Sequence, residues 1–122
     1  MRRERGFTLI EVLLAFAVMS VALLAMSGMM TTAYSTIDRS GEQTAASVLS
    51  QQRLESLRNK AFTSSTLNAG TTTETLTGTY AGYSRVTTIV DNTPRTGVKR
   101  LTVQTNTPSG ISVQSVTYMT TP

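Results

Sequence analysis

Residues 7–30 read FTLIEVLLAFAVMSVALLAMSGMM, 24 residues with Glu11 as the only charge. About 20 helical residues, at roughly 1.5 Å each, cross a hydrocarbon core of roughly 30 Å. The run is therefore long enough to span a membrane. Leu, Ala and Met favour helix, and no proline interrupts. Arg2, Arg3 and Arg5 precede it, and the positive-inside rule places that end in the cytoplasm. A secretory signal would be cut after its apolar core. Here the run is longer than such a core and passes without a break into a helical pattern, so it is expected to be kept. Glu11 sits awkwardly in such a segment, since a carboxylate inside a membrane helix costs on the order of 2.5–3.5 kcal/mol on insertion scales. Either it lies close enough to the start of the helix to reach the headgroups, or it meets a positive group in an assembly.

The remainder sets the size of what can fold in water. The chain has 122 residues and a net charge of +4; without residues 1–6, 8 basic and 6 acidic residues remain. The basic balance thus comes partly from the leader and speaks weakly for nucleic acid. There is no Cys and no His, which excludes disulfides, thiol or imidazole catalysis and zinc sites built on those ligands. No nucleophile stands beside a base and no glycine-rich phosphate loop occurs. An enzyme is not expected, and neither is a cofactor or a bound metal.

The helical pattern continues after the apolar run. Tyr34, Ile37, Gly41, Ala45, Val48 and Leu49 recur at spacings of three and four and mark one face. Leu54, Leu57 and Ala61 form a second stripe that does not continue the first. Arg58 and Lys60 suit a helix C-terminus. One helix is expected from about Phe7 to about Ala61, roughly 80 Å long. The Ser/Thr/Asn/Gly-rich stretch from Thr63 to Thr73 reads as loop.

Beyond it the apolar period falls toward two. YSRVTTIVD (83–91) and VKRLTVQT (98–105) alternate as strands, and ISVQSVTYM (111–119) does so with a change of parity that marks a bulge or an edge strand. Thr75–Thr79 is a weaker candidate. Asp91-Asn92-Thr93-Pro94 and Thr107-Pro108-Ser109-Gly110 are turns. Short connections favour an antiparallel meander of three or four strands, with one face on the amphipathic half of the helix. The fold class is α+β.

GFTLIEVLLA (6–15), after its basic leader, resembles the type III signal sequence of type IV pilins and pseudopilins: Gly, Phe, a small polar residue, two aliphatics, Glu, then an apolar run. The resemblance covers the first quarter of the chain. It implies that a prepilin peptidase cuts between Gly6 and Phe7 and methylates the new amine of Phe7. It also implies that Glu11 pairs with that amine on a neighbouring subunit, setting the axial offset between subunits. The expected divisions are a leader (1–6), a transmembrane and assembly helix (7–30), an amphipathic helix (31–62) and a loop with C-terminal sheet (63–122). Gly28 stands where pilins of this family loosen the helix, and it is equally a small residue for close helix packing. QQRLESLRN (51–59) and VKRLTVQT further resemble minor pilins and I-type minor pseudopilins of type II secretion.

The resemblance implies other pilin subunits, the peptidase and an inner-membrane assembly platform as partners, with the C-terminal part outside the cytoplasm. The filament would be a type IV pilus, a competence pseudopilus or a type II secretion pseudopilus. Arg85, Arg95, Lys99 and Arg100, with Tyr83 near, are candidates for DNA contact; the plainer reading is a solvated strand face. A secreted protein is another candidate partner. Asp38 and Glu42, one turn apart, read as a solvated face. The rival to a filament subunit is a membrane-tethered binding module, adhesive or DNA-binding, that does not polymerise.

Overall fold

Thr8 starts the long helix. A computed structural model describes residues 6–121, which leaves Met1–Arg5 of the leader outside the described residues. Helix α1 runs from Leu9 to Arg58, 50 residues, and is followed by the 3-10 turn Ser65–Leu67 and four strands: β1 (Gly70–Thr75), β2 (Ser84–Asp91), β3 (Val98–Asn106) and β4 (Ser112–Thr120). No proline occurs before Pro94, so nothing in the sequence breaks α1 earlier. The helix closes where Asn59 N donates to Glu55 O and Lys60 N to Leu57 O. It therefore ends a few residues before the expected Ala61, which lies exposed in the connection.

Two compact units share the chain, one reaching Ile37 and the other beginning at Asp38. In the first, every described side chain is exposed, including Phe7, Ile10, Leu14, Phe16, Leu24, Met29, Tyr34 and Ile37. The 18-residue window that best fits a membrane span has a mean hydropathy of 2.5 and no buried residues. A helix this apolar that is buried against nothing among the described residues needs lipid or other helices around it.

The second unit holds the core. The strands form one antiparallel sheet in the order β1-β2-β3-β4, a plain meander. Leu54 and Leu57 of α1 pack with Leu67, Ile89, Leu101 and Val103, and Met119 leans on this cluster. Ala46, Leu49 and Ser50 are also buried. Residues 46, 50, 54 and 57, with 49 and 53 beside them, make one continuous stripe. The two stripes expected from the sequence are thus one. Val48 and Gly41 lie outside it, and Tyr34 and Ile37 belong to the exposed first unit. Small side chains carry the stripe past its apolar gap: Ser50 satisfies its buried hydroxyl by donating to Ala46 O at 2.6 Å.

Each strand puts alternate residues on the helix side. On β3 these are Lys99, Leu101, Val103 and Thr105, all buried. On β2 they are Arg85, Thr87 and Ile89, leaving Val86, Thr88 and Val90 on the other face. β4 pairs with β3 through an unbroken register from Val98↔Thr120 to Asn106↔Ser112, so it is an edge strand without a bulge. Its apparent change of parity arises because Ser115 and Thr117 point inward while Val116 and Tyr118 point out. The first strand is Gly70–Thr75; of the expected Thr75–Thr79 only Thr75 is strand, and it is followed by two irregular residues and the 3-10 turn Gly78–Tyr80. Part of the stretch read as loop is therefore strand. Its β-branched threonines are held by β2, with Thr71 opposite Thr88 and Thr73 opposite Val86.

The turns follow their sequence chemistry. Between β2 and β3, Asn92 takes a positive φ of 56° and its Oδ1 accepts from Gly97 N at 3.1 Å. Between β3 and β4, Thr107 N donates to Ile111 O at 2.8 Å and Gly110 adopts φ 84°.

Candidate processing and assembly site

The helix starts with a cap. Glu11 N donates to Thr8 O at 3.1 Å, and Thr8 Oγ1 lies 3.4 Å from the same N–H. Thr8 stands at the N-cap and Glu11 three residues later, the Thr-x-x-Glu spacing of a capping box. Glu11 also places a negative charge in the first turn, where the helix dipole favours it. The sequence alone presents Thr8 only as a small polar residue; the capping-box spacing is the signal that finds its role.

Gly6 and Phe7 precede the helix in exposed, non-helical chain, with Phe7 83% exposed. A scissile peptide must be drawn out to enter a protease, and helical hydrogen bonds would resist this. Gly6–Phe7 carries none of them, since helical bonding begins beyond it. Glu11, Ala15 and Met19 share one face of α1, with Val12 and Phe16 alongside, and Phe7 lies against the start of that face. That face is apolar except for the carboxylate, which has no side-chain hydrogen-bond or ion partner among the described residues.

At Gly28 the helix continues unbroken. Its carbonyl accepts from Thr31 Oγ1 at 2.9 Å and from Thr32 Oγ1 at 3.3 Å. Ser35 and Thr36 likewise donate to Thr32 O, each at 2.9 Å. Such back-bonding offers helix carbonyls a donor other than the main chain and weakens a helix slightly. A Cβ at Gly28 would meet nothing within 4 Å among the described residues.

The four basic candidates do not form one surface. Arg85 faces the helix: it is ion-paired with Glu74, and Nη1 donates to Leu49 O at 3.2 Å. Lys99 is buried and donates to Leu67 O at 2.7 Å, with Asp91 at 3.0 Å and the Phe62 ring centroid at 5.1 Å. Arg100 lies on the opposite face of the sheet beside Tyr118, its register partner, and Arg95 sits in the exposed β2–β3 turn. Two of the four charges are therefore spent inside the unit. Tyr83 is half-buried, and burial pushes its hydroxyl up from the usual range. Glu42 is held by Ser109, whose Oγ donates to Oε2 and whose N–H lies 3.4 Å from it. These bonds hold its carboxyl below the usual range. Asp38 has no such partner among the described residues, so the pair does not act as a unit.

Residues 1–27 match the family model described as the prokaryotic N-terminal methylation motif. No curated protein and no solved structure matches the chain significantly. The motif supports a type IV pilin-like prepilin, which implies processing by a prepilin peptidase and assembly with other pilin subunits. The long α1 on a four-stranded antiparallel sheet is the α+β arrangement expected of a pilin.

Proposed function

We propose that this chain is a minor pilin or pseudopilin, a structural subunit and not an enzyme. It joins or primes a type IV pilus, a competence pseudopilus or a type II secretion pseudopilus. The supporting observation is Glu11: one carboxylate on an otherwise apolar, fully exposed helix face, one turn from the residue that a cut after Gly6 would make the amino terminus. In lipid that charge is costly. Paired with the methylated amine of Phe7 on a neighbouring subunit, both charges are satisfied and the axial offset is fixed. The exposed helix of the first unit then exchanges lipid for neighbouring helices.

In this reading the chain first sits in the inner membrane with residues 1–6 in the cytoplasm and the sheet unit outside it. The assembly platform extracts it after the cut. Mass spectrometry of the membrane form should show a methylated Phe7 amino terminus. Glu11→Ala should leave that cut largely intact and remove the chain from filaments. Met1 retained in cells with an active peptidase, or normal filament entry of Glu11→Ala, would overturn the reading.

A further inference from the structure

The sheet has two open edges. Among the described residues no strand pairs with the outer side of β1 or of β4. Soluble proteins blunt such edges with charge, proline or a bulge. β4 does none of these: Ser112–Thr120 contains no charged residue and no proline, and its register is regular. Beside it runs a groove between the strand and the end of α1, with Gln51, Glu55 and Arg58 on the helix wall and Ser115 and Thr117 on the strand. Unpaired backbone donors and acceptors along a groove identify the occupant's backbone as an extended strand.

Strand direction decides which strand. An antiparallel meander of four has edge strands that run in opposite directions. Pairing β4 with β4, or β1 with β1, antiparallel would need two copies facing opposite ways. Copies standing side by side in the same direction bring β4 of one against β1 of the next, antiparallel. Such a head-to-tail contact is heterologous, joining two different surfaces of the same chain. Charge agrees with it. Glu74 lies on the helix side of β1, and both contacts from Arg85 go to its Oε1, leaving Oε2 without a partner among the described residues. Arg58 and Glu55 both line the groove at β4 and neither has an ion partner among them; Arg58 is the cation there that the second carboxylate oxygen of Glu74 can meet.

We propose that, where two copies of this chain stand side by side, β1 of the second docks antiparallel on the outer edge of β4 of the first, joining their sheets, with the second copy's Glu74 facing Arg58. The common direction of the copies rests on the subunit reading above. Hydroxyls abound on both edges, so Thr–Thr and Thr–Ser cross-strand pairs would line the junction.

The absence of cysteine makes the test clean. Two tagged full-length chains are produced together in cells with a prepilin peptidase, one carrying Thr73→Cys and the other Gln114→Cys, Val116→Cys or Tyr118→Cys. Thr73 and these three residues lie on the face away from the helix. At least one mixed pair should form a disulfide, while each variant with itself stays at background. Arg58→Glu should lower the mixed yield roughly two- to five-fold, the worth of an exposed ion pair. Mixed pairs at background for all three positions, or Val116→Cys chains joining mainly to each other, would overturn the junction. Cross-links are read in membrane and filament fractions alike, and the Phe7 terminus is read separately. A processed chain in filaments without mixed cross-links defeats the junction alone; an unprocessed chain defeats the subunit reading.

Discussion

Arg85 Nη1 donates to the main-chain oxygen of Leu49 at 3.2 Å, tying the middle of the sheet to the helix that covers it. The same guanidinium holds Glu74 of β1. One side chain, 12% exposed, thus joins three elements. Arg85→Met should destabilise the sheet unit by about 1.5–3 kcal/mol, because it strands charge-assisted partners. Combining it with Glu74→Gln should cost less than the two single changes added together. Denaturant unfolding of the detergent-solubilised chain, followed by the circular dichroism of the sheet, measures both; strict additivity would show that the pair is not coupled.

Lys99 gives a second internal cation with a different task. Its ammonium holds Leu67 O and Asp91, so Lys99→Met should cost about 1.5–3 kcal/mol in the same unfolding measurement. Lys99→Arg should not restore stability, since a planar fork does not replace a compact ammonium among these partners.

Adjacent residues on α1 should respond in opposite ways. Leu49 is 4% exposed and Val48 is 55% exposed. Leu49→Ala should lose about 2–5 kcal/mol, and Val48→Ala about 0.5 kcal/mol or less. Equal losses would place the packing stripe elsewhere.

Acid should loosen the contact between α1 and the β3–β4 turn. Ser109 bonding holds the Glu42 carboxyl below its ordinary value. A depressed carboxyl adds stability above its unfolded pKa of about 4.3 and loses it as the pH falls through the folded value. Wild type should therefore be more stable than Glu42→Gln at neutral pH, and the gap should close as the pH drops below about 4. A gap independent of pH would remove the charge from the account.

Much of this was legible in the sequence, and the parts that were not share a cause. The apolar half of α1, β2, β3 and β4 announce themselves through runs of apolar or alternating side chains. β1 does not, because a strand of Gly and Thr with both faces largely exposed has no alternation to read; its position comes from β2. The single packing stripe was hidden for a related reason. It passes through Ala46 and Ser50, which are too small or too polar to register as core. Of the candidate site, Gly6, Phe7 and Glu11 stand out through the resemblance of GFTLIEVLLA to pilin signals, and the cap at Thr8 through the Thr-x-x-Glu spacing that its hydrogen bond fits. Arg85 and Lys99 looked like surface cations because residue type does not reveal which face of a strand points inward. Only the pairing with Glu74, Leu49, Asp91 and Leu67 does so.

The hold of Lys99 on Leu67 O is a grip on main chain, which every residue type offers equally. Between the end of α1 and the start of β1, Leu67 is the only buried side chain. The connection can therefore diverge almost freely in composition while staying fastened at one point. It is the place where related chains could acquire different outer surfaces without disturbing the interior. A randomised library over residues 59–69 that fixes Leu67 should yield mostly folded proteins, whereas fixing any other single position there should not.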